Sequence, residues 1–261
     1  MAFTIFDVPR LFGRFVGDGG GILALQPGSE RRGIADRASL CDTRSMPTFV
    51  CQAILFDLDG VLVDSTAVAG RIWKKWAQEQ GLDPEYMVRF AHGRPTIETI
   101  RLVAPRLDAQ HETAIIEDRE VNDVDGLKPV PGAKEMLTTI PAEHYAIVTS
   151  GSRRLATARL KAAGLPVPAR MIAADDITKG KPDPEPYLAG ARLVGYQPQN
   201  CMVFEDSPAG VRAAKSAGMS VVALTTTFPA AALAEADAIV ENLAVVKLDL
   251  SESGEMRITA G

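Results

Sequence analysis

Short apolar runs recur along the chain, each stopped abruptly by polar residues, with helix-period stretches between them. Residues 49–56 form the first run and end in Asp57-Leu58-Asp59-Gly60. Residues 145–148 precede Thr149-Ser150-Gly151, and residues 201–204 precede Glu205-Asp206; residues 220–224 and 238–240 follow. Runs of this length with no alternation suit strands buried on both faces of a parallel sheet. A weaker run, residues 170–173, precedes the Lys181 segment. Between them, residues 155–163, 185–194 and 209–217 read as helices, each followed by a glycine (Gly164, Gly195, Gly218) suited to ending it. Strand and helix in alternation predict an open α/β sheet with right-handed crossovers.

Two stretches depart from that alternation. Residues 65–127 contain no convincing strand. Residues 71–80 are amphipathic and stop at Gly81, and residues 96–103 and 111–121 also have helical period. An inserted α-helical domain set over the sheet is expected there. The expected core is residues 47–64 and 128–250, with a tail at 251–261. Residues 1–46 carry seven glycines and little periodicity, which reads as a flexible extension, or as sequence upstream of a true start at Met46.

Composition narrows the choice of function. With 46% hydrophobic and 23% charged residues in 261, the chain can bury one large core or a core plus a smaller domain. A net charge of −5, with no basic block, argues against nucleic acid and anionic lipid as partners. No apolar run reaches the roughly 18 residues that span a bilayer, and no leader pattern opens the chain, so a cytoplasmic location is expected. Cys41, Cys51 and Cys201 fit no metal-ligand spacing and read as free thiols. The expected state is a monomer or weak homodimer.

The candidate chemistry sits where the predicted strands end, the edge at which open α/β sheets bind ligands. Asp57, Asp59, Glu205 and Asp206 gathered there would repel one another unless a cation sat among them. Hard oxygen ligands that leave room for water and phosphate favour Mg²⁺. Lys181 adds a second positive charge, and Thr149 and Ser150 offer donors for phosphate oxygens. Asp57 is placed to attack phosphorus. Asp59, two residues on, faces the same way and can move protons. In the insertion, His92 and Arg94 lie at a loop-to-helix entry where either side chain can reach substrate.

These residues also resemble the haloacid dehalogenase-like hydrolases with a helical cap. The matching motifs are Asp57-Leu58-Asp59-Gly60-Val61-Leu62-Val63-Asp64-Ser65, Thr149-Ser150-Gly151, Gly180-Lys181-Pro182-Asp183-Pro184 and Phe204-Glu205-Asp206-Ser207-Pro208-Ala209-Gly210, in that order. The resemblance spans about residues 49–249. It implies a Rossmann-like parallel-sheet core with an inserted cap, Asp57 as nucleophile and Asp59 as acid/base. It implies Mg²⁺ held by Asp57, Asp206 and the Asp59 carbonyl, with Glu205 helping directly or through water, and phosphate gripped by Thr149 and Lys181. The dehalogenases of this superfamily lack the second carboxylate, so Asp59 points to phosphate esters.

The cap segment at 91–96 and Trp73-Lys74-Lys75-Trp76 look most like the branch acting on sugar and polyol phosphates. Phosphoglycolate phosphatase and a β-phosphoglucomutase-like mutase stay as alternatives, although mutases carry a histidine where this chain has Ala69. A non-catalytic phosphate-binding protein is the further alternative. Trp73 and Trp76 share a helix face and are expected to pack as core. Arg153 and Arg154, at the first turn of a helix, hint at a nearby anion.

Overall fold

The apolar run at 49–56 does not form one strand. In the computed structural model, which describes residues 46–91, 94–251 and 254–261, the chain bends at Gln52 and its two halves join different sheets. Strand β1 is Thr48–Cys51 and β2 is Ala53–Phe56; β3 is the short Val63–Asp64. Four helices follow, α1 (Thr66–Gln80), α2 (Pro84–Ala91), α3 (Thr96–Val103) and α4 (Ala109–Asn122). Then come β4 (Lys128–Pro129), α5 (Ala133–Thr139), β5 (Tyr145–Val148), α6 (Arg153–Ala162), β6 (Met171–Ile172) and α7 (Glu185–Val194). The chain ends with β7 (Cys201–Glu205), α8 (Pro208–Ser216), β8 (Ser220–Leu224), β9 (Ala238–Val240), β10 (Val246–Leu250) and β11 (Met256–Ala260).

The main sheet is parallel, in the order β6-β5-β2-β7-β8-β9. Its central strands are buried on both faces, and side-chain alternation divides them between two apolar layers. Ile54, Phe56, Tyr145, Ile147, Met202 and Phe204 enter the layer that also holds Met136 and Leu160 of α5 and α6. Ala53, Leu55, Ala146, Val148 and Val203 face α7 and α8 on the other side. Cys51 and Cys201 are free and buried, and burial pushes their thiols up to about 12 and about 11, which disfavours the thiolate. Cys41 lies outside the described residues, as does the expected flexible extension apart from Met46.

Residues 251–261 are expected from the sequence to form a tail. Residues 256–260 instead form the middle strand of a second, antiparallel sheet, β1-β11-β10. Met256, Ile258 and Ala260 alternate into the core, a strand-period signal too short to stand out beside the glycine and charges before it. Between β3 and β4 the described elements are all helices, α1 to α4, and the ends of this insertion are held by the antiparallel pair β3–β4. This cap has a core of its own, built around Trp76, Met87, Ile100 and Ile116. Among the described residues, no helix is long and apolar enough to cross a membrane.

Candidate active site

Strand register brings the acidic residues together. Phe56 of β2 lies opposite Phe204 of β7 with rings stacked at 5.4 Å, so Asp57 and Glu205 leave adjacent strands side by side. The Asp57 N–H donates to the Phe204 carbonyl at 3.0 Å, extending the ladder one residue past β2. Lys181 reaches in behind them, 4% exposed. Its Nζ donates to Asp57 Oδ1 at 2.5 Å, to Glu205 Oε1 at 2.6 Å and to the Val148 carbonyl at 3.1 Å.

Glu205 is fully occupied. Oε1 also accepts from the Tyr187 hydroxyl at 2.7 Å, while Oε2 accepts from the N–H groups of Asp206 and Ser207 and from Ser207 Oγ, at 2.9, 3.0 and 3.1 Å. It therefore acts as the anchor for Lys181 and for the turn into α8. Although burial opposes its ionisation, Lys181 and these donors hold its carboxyl below the ordinary value. Lys181 is shifted the other way: burial works against the ammonium, but Asp57 and Glu205 outweigh it and raise its pKa.

Asp57 and Asp206 are the strained members. Burial, reinforced by repulsion from Glu205 and Asp59, pushes Asp57 up to about 7 in spite of Lys181. Burial and the charges of Glu205 and Asp57 push Asp206 well above its usual range. Carboxylate oxygens of Asp57, Glu205 and Asp206 all lie within 4.8 Å of one another. At an effective dielectric near 20 each such pair repels by on the order of 3 kcal/mol. With all three carboxyls ionised, the single ammonium leaves two negative charges, which suits a divalent cation held by hard oxygens. Gly60 shapes the same corner. Its φ is +79°, and a Cβ there would run into the Asp206 carboxylate, so the backbone approaches the acidic cluster as only glycine allows.

Asp59 lies outside that cluster. Its carboxylate is held by Arg159 Nη1 at 2.7 Å on one oxygen and by Ser65 Oγ at 2.7 Å on the other. The Asp59 carboxylate is therefore engaged away from the acidic cluster, and the expected metal contact concerns its carbonyl alone. Thr149 is buried, and its Oγ accepts from the Gly151 N–H at 3.1 Å; Ser150 is half-buried beside it. Asp57, Asp59, Thr149, Ser150, Lys181 and Asp206, but not Glu205, line one cleft of about 130 Å³ beneath the cap, together with Ala69, Trp73, Arg94, Glu120 and Arg159.

Other sequence expectations fare differently. Arg94 lines the cleft with its guanidinium 4.7 Å over the Phe90 ring, and makes no ion pair among the described residues. His92 lies outside the described residues. Trp73 and Trp76 pack edge-to-face at 5.5 Å, and Trp76 donates to Glu112 Oε2 at 2.8 Å, as a core pair should, although Trp73 also lines the cleft. Arg153 and Arg154 do not signal an anion: they pair with Asp176 at 2.5 Å and Asp118 at 2.7 Å. No local signal marks Arg159 and Glu120, because each lies inside a helix, where charged residues ordinarily mark the solvated face.

Comparison with known proteins agrees with this geometry. The model of a haloacid dehalogenase-like hydrolase family matches residues 51–218. The chain is 38% identical over 213 residues to hexitol phosphatase A of Escherichia coli (strain K12), covering 80% of this chain and 99% of that protein. It is 33% identical to 2-deoxyglucose-6-phosphate phosphatase 2 of Saccharomyces cerevisiae, covering 74% and 87%, and 34% identical to glycerol-1-phosphate phosphohydrolase 2 of the same yeast, covering 73% and 82%. Among solved structures, a hydrolase from Pseudomonas syringae superposes with a TM-score of 0.63 at 25% identity, covering 74% of this chain and 94% of that one. A beta-phosphoglucomutase from Clostridium difficile gives a TM-score of 0.66 at 23% identity, covering 76% and 93%, a likeness of fold alone.

Proposed function

This chain belongs to the haloacid dehalogenase-like hydrolase family, and we propose that it is a Mg²⁺-dependent phosphatase that hydrolyses a small sugar or polyol monophosphate through an aspartyl-phosphate on Asp57. The observation that carries the reading is the placement of Lys181 between Asp57 and Glu205, beside Asp206, in a cleft that also holds Asp59. Asp57 and Asp206, with the Asp59 carbonyl, would hold the metal, and Glu205 would anchor Lys181. When bound, Mg²⁺ supplies positive charge that screens the nucleophile from the phosphate and offsets charge on the phosphoryl oxygens.

The protein's own groups account for the steps. Thr149 and Ser150 donate to the phosphate oxygens, and the Lys181 ammonium, held behind Asp57, offsets their charge. A carboxylate oxygen of Asp57 bonds to phosphorus as the ester P–O bond breaks. The electron pair of that bond stays on the leaving oxygen, which takes a proton from Asp59. A water oxygen then bonds to phosphorus and gives its proton to Asp59. The bond between phosphorus and Asp57 breaks, and its electron pair returns to the carboxylate.

Two features favour hydrolysis of a sugar or polyol phosphate over the alternatives. The relatives named above are phosphatases of hexitol, deoxysugar and glycerol phosphates. Ala69, where the mutase resemblance calls for histidine, lines the cleft and offers no proton-transfer group. A phosphate-release screen over sugar, polyol, nucleotide and small-acid monophosphates, with Mg²⁺ and then with EDTA, tests the proposal. Sugar or polyol phosphates should lead, with release lost in EDTA. Preference for nucleotides or phosphoglycolate, or release that persists in EDTA, would count against it. With β-glucose-1-phosphate, a phosphatase yields free phosphate and a mutase yields glucose-6-phosphate.

A further inference from the structure

Every hydrogen bond to the Asp59 carboxylate leads toward the cap. One oxygen is held by Ser65, the residue at which the chain enters α1. The other is held by Arg159 Nη1 at 2.7 Å, and Arg159 Nη2 lies 3.1 Å from Glu120 Oε1 on α4 of the cap. Arg159 and Glu120 are each 6% exposed. A guanidinium taken this far out of water is unfavourable unless its partners offset the lost hydration, and Ser65 shows that a hydroxyl can hold Asp59 without that cost. What a hydroxyl cannot do is grip two carboxylates from two domains at fixed angles, which the planar guanidinium fork does.

Resting on the phosphatase reading above, we propose that Arg159 is the positioning residue for Asp59 and that Glu120 fixes Arg159 from the cap side. Arg159 acts through Asp59 and not on the phosphate. Asp59 moves a proton twice: to the leaving oxygen as phosphorus passes to Asp57, and from the water whose oxygen attacks phosphorus while the electron pair of the Asp57 bond returns to the carboxylate. A p-nitrophenolate leaving group departs without a proton. With that ester only the second step demands Asp59 in place.

The experiment is rapid-quench kinetics with Mg²⁺ on p-nitrophenyl phosphate and steady-state kinetics on glycerol-1-phosphate. The proteins are wild type, Arg159→Gln, Glu120→Ala and the double variant Arg159→Gln/Glu120→Gln. Arg159→Gln should give a burst of one p-nitrophenol per site and then a steady rate about 10- to 100-fold below wild type, part of the usual worth of a proton-transfer group. On glycerol-1-phosphate kcat should fall by at least as much, with KM nearly unchanged. Because the single variant leaves Glu120 buried without its partner, the double variant, with neither charge, guards against misfolding and should show the same burst.

Wild-type kcat without a burst in the folded double variant would overturn the proposal. Glu120→Ala should show a weaker form of the burst, and normal kinetics there would overturn the cap-side half. Failure of the phosphatase reading looks different: wild type then releases product from neither ester, and this proposal falls with it.

Discussion

Asp57 stands in a position that disfavours its own charge, and this gives a measurable consequence at the residue scale. A carboxyl whose pKa is raised on folding binds its proton more tightly in the folded state. Through this group the metal-free protein should therefore lose stability as pH rises from 3.8 to about 7. Asparagine at 57 has no proton to lose. In EDTA, the Tm of Asp57→Asn minus that of wild type should grow across this window and level off above it, and a difference that stays flat would contradict the assignment. Asp57, Lys181, Glu205 and Asp206 were legible in the sequence because each follows an apolar run or sits in a short local motif. Arg159 was not, since its meaning depends on Asp59, 100 positions away, and on Glu120 in another domain.

Among the elements, α8 shows how closely a helix is fitted to the chemistry it supports. Ser207 caps it, accepting from the Gly210 N–H at 3.1 Å while its own hydroxyl hydrogen-bonds Glu205. A Cβ at Gly210 would collide with the Glu205 carboxylate. Gly210→Ala should therefore displace the anchor of Lys181 and lower kcat by about 10-fold or more, although alanine favours a helix interior over glycine by roughly 1 kcal/mol. Activity and Tm measured together check this; an active, stabilised variant would show that Glu205 yields without consequence. The strands of the main sheet were readable from their unbroken apolar runs. The bend at Gln52 was not, because apolar residues flank this one polar position on both sides. Its N–H donates to the Asn200 carbonyl at 2.8 Å, a long-range contact that local pattern does not encode.

For the whole molecule, substrate choice should reside in the cap and phosphate chemistry in the core. Arg94 is exposed, rests on Phe90 and lines the cleft. Arg94→Ala should raise KM for sugar and polyol phosphates by about 10-fold, the scale of one charge-assisted hydrogen bond, while changing p-nitrophenyl phosphate hydrolysis much less. Equal losses on both esters would move Arg94 into the core chemistry or into folding. The division into sheet and helical insertion was legible from the break in alternation between residues 65 and 127. The antiparallel sheet closed by β11 was missed because its partner β1 lies more than 200 residues earlier in the chain.

The covalent route through Asp57 is most directly tested by acid-quenching the enzyme during turnover with Mg²⁺ and a preferred sugar phosphate, then reading the mass of the peptide that contains Asp57. A phosphoryl group on Asp57 in wild type, absent from Asp57→Asn, is the expected result. Full turnover with that peptide unmodified at every quench time, or an Asp57→Asn variant that still hydrolyses the ester, would contradict it.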